Sequence, residues 1–288
     1  MRSASGRFAA PLALAAVLAL PGRSEPAVVG AVSLSDGSVV PSHASLSGDT
    51  SDREAARRRA ELLHSPYVQL AERRSVLGGE AVAGFEAAVP TEHREAAVLA
   101  LSRTVRDVLD RDGWPRAFTS SSPLTLLVLQ SRPAVPVLVA WDGREKGRLA
   151  RPVVAVATSG RSPDAVAFDV ARGVALLAVR QAGPDESGWA VEGFAEFLAQ
   201  EALGLTAPPV AGASPFLSPR GSLQSPSAAA LFLRKAARLS PAGREGLRSA
   251  WEETGAQHGD DAEAFFRAVA ERARPNGAAE LLAALVSE

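Results

Sequence analysis

The sequence predicts an α+β protein: a small mixed β-sheet with helices, packed against a helical C-terminal lobe. Two observations predict it. Short apolar runs bounded by proline, glycine and turn signals precede residue 160, whereas helical patterns dominate after it. Apolar residues make up 47% of the chain and charged residues 22%, which is enough to bury a core.

At 288 residues the chain suits one large or two modest domains. Its formal net charge of −1 gives no bulk attraction for DNA or RNA, so a nucleic-acid partner is not expected. The absence of cysteine excludes disulfides, thiolate metal sites, a cysteine nucleophile and a lipid-modified cysteine. His43, His64, His93 and His258 are the only histidines, and none falls on the two central helices described below. Lys146 and Lys235 are the only lysines, which with the heavy alanine content reflects a high-GC bacterial genome.

Arg2 and Arg7 lead into an apolar run from Phe8 to Leu20, and small residues follow up to Ser24. This pattern is that of a secretory signal, so residues 1–24 are expected to be a signal peptide and the protein to be exported, to the periplasm or outside. The run falls short of the ~20 apolar residues of a spanning helix, so membrane contact is expected only through an uncleaved signal anchor. Residues 25–52 are rich in serine and glycine and are expected to form a flexible linker.

Residues 53–204 are expected to form the α+β lobe and 205–288 the helical lobe. Arg53 to Leu63 is charged and helical. Tyr67–Leu77 and Glu80–Val89, separated by Gly78-Gly79, are predicted strands. Thr91 is predicted to cap a helix whose apolar positions Ala96, Leu99, Val105, Val108 and Leu109 recur up to Asp112-Gly113. Leu124–Gln130, Val135–Trp141 and Pro152–Thr158 are three further strands, with a turn at Asp142-Gly143. Ser162 then caps, and Pro163 opens, a helix to about Gln181 that is apolar on nearly every side and therefore buried. A second helix runs from near Trp189 to near Gly204. Leu205–Ser227 is a predicted loop, and helices follow near 227–239, 241–254, 260–272 and 277–286.

Charged residues on a buried helix are the informative feature, because an interior charge is costly unless paired. On the first central helix these are Asp169 and Arg172, three apart and on one face; the second carries Glu192 and Glu196, four apart. Each pair has two open readings: a solvated or locally paired helix face, or the carboxylates and guanidinium of a site. Trp189 reads as a core or interface aromatic.

The segment Trp189-Ala-Val-Glu-Gly-Phe-Ala-Glu-Phe197 resembles the W-x-x-E-G-[FL]-A-E-[FY] motif of gluzincin metallopeptidases, over a stretch from roughly Leu124 to Ala270. The resemblance implies a zincin-like fold. It also implies an upstream H-E-x-x-H helix, with the glutamate before the glycine as third zinc ligand. With 19 residues between Arg172 and Glu192, the segment in register is Phe168-Asp-Val-Ala-Arg172. Phe168 then stands at the first histidine, Asp169 at the general-base glutamate and Arg172 at the second histidine. Glu192 keeps the third ligand position and Glu196 the second carboxylate. Phenylalanine has no lone pair and arginine no acceptor, so no zinc, no cofactor and no catalytic residue is expected, and water there stays unactivated.

An Arg172–Glu192 ion pair, bidentate and shared with Asp169, is expected in place of the metal. The resemblance thus implies an exported pseudo-metallopeptidase that binds a peptide or protein partner, or an envelope component, in a remnant cleft formed by Asp169, Arg172, Trp189, Glu192 and Glu196. Two alternatives stay open. One is an active metallopeptidase with unconventional ligands such as Asp169 and Glu192; the other is a structural scaffold with a filled cleft. No G-x-S-x-G, S-x-x-K or phosphate-binding glycine loop is present, and Asp49-Thr50-Ser51 lies in the linker.

Overall fold

A computed structural model describes residues 31–33, 39–41, 70–130, 137–183, 189–205, 226–258 and 268–272. The signal peptide, the 53–63 helix, nearly all of the 205–227 loop and the 277–286 helix lie outside the described residues. Inside the expected flexible linker, β1 (Ala31–Ser33) pairs antiparallel with β2 (Val39–Pro41). The pairing has a local cause: Val32, Val39 and Val40 are β-branched and favour extended backbone.

The sheet begins with a hairpin. β3 (Leu70–Val76) runs antiparallel to β4 (Ala81–Glu86) through a turn in which Gly78 and Gly79 both take positive φ. β5 (Leu124–Leu129) and β9 (Val153–Ala157) add parallel strands beside β4, and β6 (Val137–Ala140) closes the sheet as an antiparallel edge on β9. The order is β3-β4-β5-β9-β6, so a mixed α/β architecture is what the chain adopts. β5 and β9 are apolar at nearly every position because both their faces are covered. The outer hairpin β7 (Arg144–Glu145) and β8 (Arg148–Leu149) leads into β9.

Between β4 and β5 stands α1 (Thr91–Arg103). Thr91 is its first helical residue rather than its cap: Pro90 holds the cap position and makes no side-chain bond there. Pro90 is fixed near a φ of −59°, which sets the chain's entry and leaves Thr91 inside the first turn. The helix continues not as α but as a π stretch, Thr104–Asp110. At the junction the Thr104 hydroxyl donates back to the Ala100 carbonyl, 2.8 Å away, in competition with the regular ladder.

α2 (Pro163–Ala182) follows β9. The Ser162 side chain accepts from the Ala165 amide at 3.2 Å and Pro163 takes the first turn, as the sequence predicts. The helix is buried from Ala165 to Arg180. One side lies on the sheet through Gly173, where an added methyl would stand 2.7 Å from a Val154 methyl and 3.3 Å from Val137. The other side meets α3 (Trp189–Leu203). α4 (Pro226–Leu239) packs on α3, and α5 (Gly243–His258) follows it. Of the predicted 260–272 helix only 268–272 is described, and it is helical over 268–271.

One hydrophobic core runs through sheet and helices alike. It joins Phe85, Leu126 and Val154 to Phe194, Phe232 and Trp251, so the two expected lobes share an interior. Phe194 is its aromatic centre, edge-on to Trp114 at 5.0 Å and to Trp251 at 5.8 Å. The opposite face of the sheet buries Leu127, Leu129, Val153 and Ala155. Among the described residues no helix is long and apolar enough to cross a membrane.

The close approach at Gly173 sets the height of α2 above the sheet. Gly173→Ala improves helix propensity by about 1 kcal/mol but forces a methyl against the stiff Val154 side chain. The net expectation is a loss of ~1–2 kcal/mol, read as a lower urea midpoint; an unchanged or higher midpoint would show that the helix can lift freely.

Candidate functional site

The site is a set of charges buried between α2 and its neighbours. Asp169 and Arg172 are both fully buried, which sets aside an exposed helix face for them. The motif and spacing overlook a third charged side chain on the same helix, Arg180, which is also buried. A signal for it exists, since Arg180 lies two turns beyond Arg172 in an otherwise apolar pattern.

Asp169 does not share Arg172 with Glu192 as expected. It forms an ion pair with Arg161, whose Nη2 stands 2.7 Å from Asp169 Oδ2. Arg161 is placed for this by the loop before α2. Its carbonyl accepts from His93 Nε2 on α1 at 2.8 Å, and its guanidinium also donates to the Ala165 carbonyl at 3.4 Å. A carbonyl can only accept, so the His93 proton sits on Nε2. Neither Arg161 nor His93 is legible in the sequence as part of the site, because their partners are distant along the chain or are backbone atoms.

Arg172 reaches across to α3. Its Nη2 lies 3.6 Å from Glu192 Oε2, the helix-to-helix pair that the sequence suggests. The geometry differs from the expected fork. There is one contact rather than two, and none of the three guanidinium nitrogens has a hydrogen-bond acceptor among the described residues. The charges attract across the two helices without a well-formed hydrogen bond among the described residues.

Glu192 is the one carboxylate here that touches water, with its side chain 16% exposed. Glu196, one turn on, is fully buried and accepts from Gln200 Nε2 at 3.2 Å. Gln200 in turn accepts from Arg234 of α4 at 2.8 Å, and the same Arg234 nitrogen donates to the Leu205 carbonyl at 2.7 Å. Glu196 therefore belongs to a chain of polar contacts tying α3 to α4. Gln200 and Arg234 carry no sequence signal, since neither stands in a motif. The side chain of Trp189 lies outside the described residues, although its backbone opens α3. Phe194 and Phe197, the aromatic positions of the segment, are core residues 6.1 Å apart.

The position given to the first histidine, Phe168, is fully buried and packs with Ala165, Ala171 and Ala199, with Leu203 and Leu205 at the margin. The residues at the zinc positions thus do not fit the ion that the resemblance implies: one is a benzyl ring in an apolar cluster, and one is a cation already facing the third-ligand carboxylate. Among the described residues no three histidine, aspartate or glutamate side chains gather into a metal-sized group.

Burial raises the Glu192 carboxyl to about 7; Arg172 and Arg180 oppose this, and Glu196 adds to it. Burial likewise pushes Asp169 up to about 6, against the pull of Arg161 and Arg172. The sign follows from proton binding. Below about 4.5 Glu192 is protonated in both folded and unfolded chains. Between 4.5 and 7 the unfolded chain ionises first, so stability falls as pH rises, and it levels off above. Glu192→Gln should remove this part of the slope, worth about 3 kcal/mol at most, while the Asp169 part below pH 6 persists. Urea midpoints measured from pH 4 to pH 8 for both chains check this; parallel curves would mean that Glu192 titrates normally.

No family model, no curated protein and no solved structure matches this chain, so its own residues and geometry carry any functional assignment.

Proposed function

We propose that this chain is an exported, non-catalytic relative of the gluzincin metallopeptidases, a pseudoenzyme that binds a peptide or protein partner at the remnant of the metal site. The single observation that carries the reading is the Arg172–Glu192 contact of 3.6 Å in the interior. Two segments 19 residues apart, picked out by register with a metallopeptidase motif, put their side chains against each other. The group facing the glutamate is a cation whose single positive charge would take the role of zinc in neutralising it, without an open coordination position.

A zincin-like fold is part of this proposal. In its support, a mixed sheet with an antiparallel edge strand delivers β9 into a buried helix bearing the altered segment, and the next helix bears the two glutamates. Binding at the remnant is supported by Glu192: among Phe168, Asp169, Arg172, Glu192 and Glu196 it alone keeps contact with solvent, at the first turn of α3. Export is supported by the basic and apolar pattern of residues 1–24.

One observation favours a second reading. Phe168, Asp169, Arg172 and Glu196 are all fully buried, as in a scaffold whose cleft is filled by its own side chains. Partner capture with wild-type protein and with surface substitutions beside Glu192 separates the two.

Zinc analysis of native protein, with an assay on a mixed peptide substrate, tests the proposal. The expected outcome is no stoichiometric zinc and no hydrolysis; one zinc per chain with hydrolysis would establish an active peptidase with unconventional ligands. The combined change Phe168→His, Asp169→Glu and Arg172→His supplies a second arm. If the register is right, the folded variant gains measurable zinc affinity by equilibrium dialysis, and a folded variant without that gain counts against the alignment.

A further inference from the structure

Arg172 is a fully buried guanidinium with no hydrogen-bond acceptor among the described residues. Its surroundings make the state specific. Asp169 is drawn to Arg161, at 2.7 Å. Glu196 accepts from Gln200, which is itself held by Arg234. Glu192 remains, at a single 3.6 Å contact, too long and too one-sided to satisfy a planar fork of donors. Glu192 also belongs to the first turn of α3 and is the member of the group in touch with water. A rotation of its side chain toward solvent would withdraw the carboxylate that faces Arg172.

We propose that Arg172 is the recognition point for a carboxylate carried by the ligand, and that Glu192 is a built-in surrogate which the ligand's carboxylate displaces. The inference rests on the non-catalytic binding reading and names what that site selects. A carboxylate is the favoured class because its two oxygens match the guanidinium fork, and because the volume it enters is the one that a carboxylate already fills. The shared chemistry admits two sources, the C-terminus of a peptide or a small organic acid. No bond is made or broken, and the site holds its ligand by charge-assisted hydrogen bonds alone.

The guanidinium Nε–H resonance of Arg172 in the full, 15N-labelled chain reads the site directly. It is assigned by its loss in Arg172→Lys; should that variant not fold, the resonance is assigned by through-bond transfer from the backbone. Four probes are titrated at constant ionic strength: N-acetyl-trialanine with a free C-terminus, the same peptide as its C-terminal amide, acetate and chloride. The expected result is a saturable shift with the free acid and none with the amide. In Glu192→Gln, which removes the competing charge while keeping the shape, the free acid should bind about tenfold more tightly than in the native chain.

Equal shifts with acid and amide would overturn the carboxylate proposal while leaving peptide binding intact. No shift with acid or acetate in either protein, or an equal shift with chloride, would overturn it as well. Acetate binding as tightly as the peptide acid sustains the carboxylate site and assigns it to small organic acids. The zinc measurement above fails or succeeds independently of all these outcomes.

Discussion

The interior of this protein is organised around charges that cannot leave. α2 lies with one side on the sheet and the other against α3, and its side chains from Ala165 to Arg180 are buried. Asp169, Arg172 and Arg180 are nevertheless placed there. Removing a charge from water costs several kcal/mol, so each needs a partner close by. For Asp169 that partner comes from the loop before the helix, through Arg161; for Arg172 it comes from α3, through Glu192. These needs fix which faces of the two helices meet, to a degree that apolar packing does not, because apolar contacts tolerate small slides and rotations.

The two pairs differ in separation, and in neither do the described residues give a well-formed hydrogen bond: both Asp169 oxygens, like the three Arg172 nitrogens, lack a hydrogen-bond partner among them. Arg161 and Asp169 meet at 2.7 Å, and His93 holds the Arg161 backbone. Arg172 and Glu192 stand at 3.6 Å. A site built only for stability would bring the second pair as near as the first, or replace both residues with apolar ones at little cost. A loosely paired interior cation beside a carboxylate that reaches solvent is better suited to exchange of partners. That contrast is why we read the same residues as a site and not only as a strut.

Under the proposed pseudoenzyme reading, loss of catalysis and gain of structure would have the same cause. Phe168 contributes an apolar ring to a small cluster with Ala165, Ala171 and Ala199, where a histidine would need a polar partner for its second nitrogen. Arg172 brings a charge that needs no coordination sphere. Both glutamates have structural duties: Glu192 balances Arg172, and Glu196 takes part in the polar chain through Gln200 and Arg234 to the Leu205 carbonyl.

Much of the fold can be read from sequence because it depends on local chemistry. Leu124–Leu129 is a short apolar run that reads as a buried strand, and the capping residue Ser162 followed by Pro163 starts a helix by rules that need only neighbouring residues. The spacing of Asp169, Arg172, Glu192 and Glu196 likewise assigns them to shared helix faces through periodicity alone. Pairing across distance is what the linear chain leaves open. The choice of Arg161 for Asp169, the link from His93 to the Arg161 carbonyl and the reach of Arg234 to Gln200 join residues that only packing brings together. The π stretch after α1 and the displacement of Thr91 from its cap depend on how one helix end sits against its surroundings. Periodicity states which side of an element is apolar, but the depth of burial and the identity of a charge's partner are properties of the assembled interior, because they depend on what the rest of the chain excludes from water.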